Sequence, residues 1–479
     1  MIFWRWRFPV QFEVLVACIV LVTALPRSGA AAPDARRRDA ISFPAGLETQ
    51  VQFWKDVFTV YTSRHVVIHD CDKVSRIYSV LDFTYLDDGS VSPVVADKLR
   101  RDRIADEIDR IQASLIRLSE EGQRSPGLSP PEQQLAKLFP AGTSTSEIRA
   151  AADKERIRYQ TGLADKFRRA IEVGHAYWPT MEKIFREEGL PVELTRLPLV
   201  ESGFHLGAYS KTGAAGVWQF MPATGRKYLR IDDAVDERRD PIASTRAAAQ
   251  HLRENYELLG TWPLAVSAYN HGRGGIARAV SEVGTQDLVT IIHRYKGRVF
   301  GFASKNFYAE FLAALEVERN AAQYFGRLDP DPPRNLRGVT MPDYVRLSAL
   351  AQLVGMTTGE LAEINPALSS RVVSGGLYVP SGYELWLPPK AAAGFDHAYA
   401  RMASAEKHNG QKQAYVAHKG RKGVVHQVRK GETLARIAKR YRTTVGAIMR
   451  KNGLRKSNQI HVGQRLRISA RADTANEAG

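Results

Sequence analysis

The chain has 479 residues, 44% of them hydrophobic and 25% charged, with a formal charge of +17. At roughly 100–200 residues per domain that length allows about two to four domains, and so ordinary a composition excludes a wholly disordered or fibrous chain. The charge is lopsided: from Arg401 to Gly479 there are 19 Lys/Arg against 4 Asp/Glu, which points to an anionic partner for that tail, such as an acidic wall or a membrane surface.

The first residues, MIFWRWRFPVQFEVLVACIVLVTALPRSGAAAP, read as an export signal over 1–32. Arg5 and Arg7 form a positive start, Val14 to Leu25 an apolar run, and small residues cluster from Ser28 to Ala32. The apolar run is short of the roughly 20 residues a membrane span needs. Leu15–Cys18 also resembles a lipoprotein box, in which Cys18 would be lipidated. Glu13 and the apolar residues after Cys18 favour ordinary secretion. Without the signal Cys71 is the sole cysteine, so no internal disulfide is expected and Cys71 is given no role.

Residues 40–150 read as an N-terminal helical accessory region. Leu47 to Phe83 mixes aromatic and β-branched residues and fixes no element. Ile104, Ile108, Ile111, Leu115 and Leu118 recur on one helical face, and the Gly- and Pro-rich run Glu120–Glu132 ends that helix. Over 151–325 no βαβ rhythm appears, and a mainly α domain is expected. Asp240 is a fitting N-cap there, Pro241 a first-turn residue and Gly260 a stop. Pro222 and Pro263 mark two further helix starts.

After a Pro-rich linker, Arg327–Gly338, the sequence repeats itself. Leu347, Leu350, Ala351, Val354, Leu361 and Asn365 match Leu434, Ile437, Ala438, Tyr441, Ile448 and Asn452 at an offset of 87. Gly382, Leu385 and Leu387 match Gly463, Leu466 and Ile468 at an offset of 81, so the first copy carries six extra residues. The copies span 339–389 and 424–470, each two short helices closed by a strand, with an Ala-, Lys- and Gly-rich linker over 391–423.

The chemistry centres on LPLVESGFHLGAYSKTGAAGVWQFMPATG, Leu197 to Gly225, whose one acidic residue is Glu201. Leu194, Leu197 and Glu201 share a face if Pro191 to Glu201 is helical, which Gly203 then ends. A carboxyl on an apolar surface at a helix C-terminus is disfavoured as an anion. Raised to roughly 6–7, its pKa would keep a useful fraction protonated at neutral pH, as protonating a glycosidic oxygen requires.

Glu201-Ser202, then Gly213 to Pro222, then Ala268-Tyr269-Asn270, then Tyr308 in SKNFYAEFLAALEV resemble, in order, the four motifs of family 1 lytic murein transglycosylases of the membrane-bound D type. The resemblance covers about Glu188 to Asn320. It implies a goose-lysozyme-like α-helical fold with Glu201 as acid and then base. Such an enzyme cleaves between N-acetylmuramic acid and N-acetylglucosamine and leaves a 1,6-anhydro end. Carried over, Ser202, Gln219, Met221, Tyr269 and Asn270 would position substrate, and Tyr308 would hydrogen-bond near Glu201. Trp218 and Phe220 serve equally well as core. SKNFY replaces the more usual acidic-Thr-basic approach to the tyrosine.

Val424 to Ser469 resembles LysM modules, βααβ units that bind N-acetylglucosamine-containing glycans. Gly431, Thr433 and Asn452 would shape its groove. The first copy lacks the Gly-Glu-Thr triplet and looks degenerate. The fold expected is thus mainly α with small βααβ modules, and the partners are peptidoglycan strands and, for the basic tail, an anionic wall or membrane surface. No cofactor, metal or nucleic acid is expected: His65, His69 and Asp70 lack metal spacing, and Gly272 to Gly275 lacks a phosphate-loop lysine. Two rivals stand beside this. A hydrolase on the same fold would need a second carboxylate, with Asp232 or Asp233 as candidates; the other is a non-catalytic wall-binding scaffold.

Overall fold

The computed structural model describes residues 41–87, 89–411, 424–429, 431–441, 443–454 and 460–468. The export signal, Cys18 and residues 412–423 lie outside the described residues. Helices dominate, as expected.

Near the start, α1 (Glu48–Thr59) leads into β1 (His65–Asp70) and β2 (Ile77–Asp82), and then α2 (Pro93–Glu121), α3 (Pro130–Ala136), α4 (Thr145–Ala151) and β3 (Ile157–Thr161) follow. The strands form an antiparallel sheet in the order β2-β1-β3. Alternation along β1 explains its place: Val67 points into the large helical core, while Val66 and Ile68 point the other way onto Ile104, Ile111, Leu115 and Leu118 of α2. The expectation of a helical accessory region over 40–150 is therefore corrected. A sheet divides it, the third strand lies past residue 150, and α1 packs on a later helix of the main core.

That core is built from α5 (Ala164–Gly174), α6 (Trp178–Glu187), a 3₁₀ turn (Val192–Arg196), α7 (Leu197–Glu201), α8 (Pro222–Gly225), α9 (Pro241–Leu259), α10 (Trp262–His271), α11 (Arg273–Val283), α12 (Leu288–Arg294), α13 (Phe302–Arg319) and α14 (Ala321–Phe325). Asp240 caps α9 by accepting from the Ile242 and Ala243 amides, and left-handed Gly260 ends it. Helix α13 runs through the centre, with every residue from Asn306 to Leu315 buried. Ala309, Ala313 and Ala314 let α1, α7 and α10 approach it closely.

The Pro-rich segment beyond α14 lies along α5, where the Asp331 amide bonds the Glu172 carbonyl and the Arg334 amide the Ala176 carbonyl. The first repeat follows: β4 (Arg337–Thr340), β5 (Tyr344–Val345), α15 (Leu347–Leu353), α16 (Thr358–Glu363), α17 (Ser370–Val373) and β6 (Glu384–Leu387), with β4 paired to β6. Residues 391–411 are not a linker. Helix α18 (Pro389–Ala400) buries Phe395 and Tyr399 in the first repeat's core, and β7 (Lys407–His408) pairs with β5. The apolar Phe and Tyr, four residues apart, outweigh the small and charged residues around them.

In the second repeat β8 (Val424–Gln427) pairs with β9 (Arg465–Ile468) around helices Leu434–Arg440 and Val445–Lys451, over a core of its own. One asparagine does the same work in both copies. The Asn365 amide bonds the Leu361 carbonyl and both backbone groups of Trp386; Asn452 does so with Ile448 and Arg467. Each holds the second helix to the last strand. No helix among the described residues is long and apolar enough to cross a membrane.

Candidate active site

Glu201 is the last residue of α7, a helix of five residues started by Pro198 and packed on α13. Ser202 caps its end, and the buried Ser202 hydroxyl donates to the Val217 carbonyl at 2.9 Å, tying the helix to the Gly-rich loop that follows. The Glu201 side chain is half-buried, and among the described residues nothing hydrogen-bonds to it. Burial without compensating donors pushes its pKa up to about 8, beyond the range expected from the sequence. Near neutrality the group is mostly the neutral acid.

The loop from Phe204 to Met221 wraps back over α7. Ala215 pairs with both Tyr209 and Phe220, and Gly216, at φ +75°, sits where a Cβ would run into the Arg238 carbonyl. Phe204 and Gln219 are the two non-glycine residues with left-handed backbones among those described, at φ 53° and 49°. Both flank the site, where such strain concentrates. The Gln219 side chain folds back to donate to the Gly216 carbonyl at 2.7 Å. Met221 is 42% exposed on the rim.

Trp218 and Phe220 are core residues. Trp218 stacks on Phe185 and donates its indole N–H to Thr245 at 2.8 Å, and Phe220 packs edge-on against Tyr269 and His251. Tyr269, on α10, donates to the Trp218 carbonyl at 2.8 Å and feels the Glu201 charge; burial and that charge raise its pKa well above the usual phenol value. Asn270 is exposed beside it and accepts from Ser304 at 3.5 Å, while Ser304 also meets His271 at 2.9 Å.

One position departs from the sequence expectation. Tyr308 is fully buried, and its hydroxyl donates to the Ser42 carbonyl at 2.6 Å. It ties α13 to the segment before α1, and among the described residues it makes no hydrogen bond to Glu201. Ser304, one turn earlier on α13, holds Asn270 and His271. The acid near Glu201 is Glu310, which sequence reasoning missed. It is 3% exposed on α13, and burial together with the Glu201 charge keeps its carboxyl protonated well above the usual range. Its signal was present: in NFYAEFLAAL the glutamate is the one charged residue amid apolar neighbours on all sides, so no solvent side existed for it.

Asp232 and Asp233 do not supply a second acid to the cleft. Asp232 caps the Ala234 and Val235 amides, and Asp233 pairs with Arg371 of the first repeat at 2.7 Å. Nor is Asp70 free for a metal, since Arg76, Arg156 and Tyr78 all engage its carboxylate.

A profile of the transglycosylase SLT domain matches residues 180–292, across α6 to α12 and the whole Glu201 loop, and a LysM domain profile matches 426–469. Over those two stretches the chain is similar to transglycosylase SLT domains and to LysM domains. Two curated proteins, the membrane-bound lytic murein transglycosylases D of Escherichia coli K12 and Escherichia coli O6:H1, are each 31% identical over 306 residues, 62% of this chain and 63% of theirs. The chain thus spans less than two thirds of those relatives. A solved structure of an inactive mutant of the lytic transglycosylase Slt from Pseudomonas aeruginosa aligns at 20% identity over 33% of this chain and 25% of that one, with a TM-score of 0.25.

In the stretch that the LysM profile matches, left-handed Gly431 and extended Thr433 form the turn into the first helix, with Thr433 accepting from the Arg436 amide. Asn452 has its amide wholly engaged by backbone, so its part in any groove is to hold the walls.

Proposed function

We propose that the chain is a peptidoglycan lytic transglycosylase with Glu201 as its single catalytic group. The observation that carries this is the half-buried, unbonded Glu201 carboxyl with a pKa of about 8, in a loop that the SLT profile spans. Protonated, Glu201 gives its proton to the oxygen joining N-acetylmuramic acid to N-acetylglucosamine, and the C1–O bond breaks. As a carboxylate it then takes the proton of the muramic 6-hydroxyl, whose oxygen closes onto C1. No water is consumed, and the 1,6-anhydro end leaves Glu201 protonated for the next cycle. Ser202 fixes the end of α7, Gln219 and Met221 line the sugar path, and Tyr269 and Asn270 brace it.

Hydrolysis on the same fold would need an ionised second carboxylate roughly 6.5–9.5 Å away to activate water. Asp232 and Asp233 are engaged elsewhere, and Glu310 is held neutral. A protonated carboxyl is a poor base, which favours the anhydro route. The LysM domain would hold N-acetylglucosamine-containing strands, and the basic tail an anionic wall or membrane surface. By its N-terminal sequence the protein is exported and acts in the periplasm; the relatives' printed names say membrane-bound, for which lipidation at Cys18 is the alternative route. The domain limits expected from sequence belong to this proposal, moved where the cores require.

Digestion of purified sacculi followed by mass spectrometry tests the reaction. Products one water lighter than reducing-end muropeptides are expected. Reducing ends alone would sink the anhydro mechanism. Glu201→Gln should still bind sacculi without dissolving them, whereas undiminished solubilisation would remove Glu201 from the chemistry.

A further inference from the structure

We propose that the first repeat is a buttress for the catalytic loop, and that its own sugar groove is closed. The proposal rests on the assignment of the 213–221 loop to the cleft.

A chain of bonds runs from the repeat to that loop. Val235, between α8 and α9, forms an isolated antiparallel bridge with Leu368, with the Asp236 amide on the Ala367 carbonyl and the Ser369 amide on the Ala234 carbonyl, each at 2.8 Å. Ala234 and Val235 are members of the repeat's own core. The Asp236 carboxylate then grips Arg238 at 2.7 Å, and the buried Arg238 guanidinium donates to the Gly213 carbonyl at 2.6 Å and the Phe220 carbonyl at 3.0 Å. Those carbonyls bracket Gln219. A second tie runs from the Trp386 indole, on β6, to Asp240 at 2.5 Å. Asp240 caps α9, which carries Thr245, the partner of Trp218. Exposed ion pairs Arg246–Glu384 and Arg371–Asp233 frame the junction. A loop with strained Gln219 needs such outside support.

The groove itself is occupied by the repeat's own chain. In the second copy the matching positions, Glu432 and Ile460, share no backbone bond among the described residues. Their counterparts, Val345 and Val379, exchange both backbone hydrogen bonds, at 3.0 and 2.8 Å. The strand β7 then adds to β5, His408 stacks on Tyr378 at 4.2 Å, and Gln411 bonds both backbone groups of Tyr378. The six extra residues and β7 have zipped the walls together.

Amide hydrogen exchange on the full chain tests both halves. Trp386→Phe keeps a ring and removes the bond to Asp240, so peptides within 213–221 and 231–240 should exchange about tenfold faster while α6 and the LysM domain are unchanged. In sacculus assays KM should rise several-fold, with the alkaline limb of the rate profile unmoved, because α7 and α13 are untouched. Should that variant not fold, Asp233→Asn with Arg246→Met breaks the exposed pairs and should shift the same peptides about threefold. Unchanged loop exchange in the folded variant, or acceleration spread evenly over the chain, overturns the buttress. Titrating the parent with chitohexaose should leave 342–346 and 376–383 unprotected; protection there overturns the closed groove. A parent without muralytic activity would refute the proposed function, and the exchange data would still judge the buttress.

Discussion

At the scale of single residues, everything turns on whether Glu201 holds its proton. With a pKa of about 8, the rate of sacculus digestion should be flat from neutrality and fall about tenfold per unit above pH 8. A limb near pH 5 would mean that substrate or solvent restores an ordinary carboxylate. Stability should show the same group from the other side. Its folded value lies above the ordinary carboxyl value of about 4.5, so the native state bears no penalty below about pH 4.5 and loses stability as pH climbs toward about 8. Glu201→Gln removes that titration. Its melting temperature should exceed the parent's by a margin that widens from pH 5 to pH 8; a constant or shrinking margin would contradict the burial. Glu310→Gln keeps a neutral group in place of a neutral acid, and its activity should stay within about fivefold of the parent's in the same assay. A loss of about 10³-fold would make Glu310 a working base and reopen the hydrolytic route.

Among the elements, the Gly-rich loop is where small changes should cost most. Gly216→Ala forces a left-handed backbone on a side chain aimed at the Arg238 carbonyl. A loss of about 2 kcal/mol or more is expected by urea denaturation, with activity falling alongside. An unchanged midpoint would show that the loop can move aside. How legible these elements are depends on how local their causes are. Asp240, Pro241 and Gly260 announce α9 because capping is a matter of neighbours. The lone Glu201 is legible for the same reason, set in one short run of special residues. The sheet around β1 is not, since HVVIHD offers apolar groups to both faces and only the partners decide. Nor is the Tyr308–Ser42 bond, whose ends are 266 residues apart. Helix α18 hides in an Ala- and Lys-rich stretch because its two anchors answer to the repeat's core.

Taken whole, the molecule keeps its large helical body and first repeat welded together, while the second repeat has a core to itself. Deleting Lys422–Gly479 should therefore leave the main melting transition in place by calorimetry, yet weaken retention on sacculi, most visibly at low salt where basic residues act at longest range. Equal retention would mean that the catalytic cleft alone does the holding. The lopsided charge was plain in the sequence; the welding was not, because the Trp386–Asp240 and Val235–Leu368 contacts join segments that no periodicity relates.

Gln219 carries an implication for anyone who would improve this protein. A glutamine bent into a left-handed turn at φ 49° costs the native state about 1 kcal/mol that glycine would not. Selection for heat tolerance should thus favour Gln219→Gly, and the hardier protein would be the duller blade.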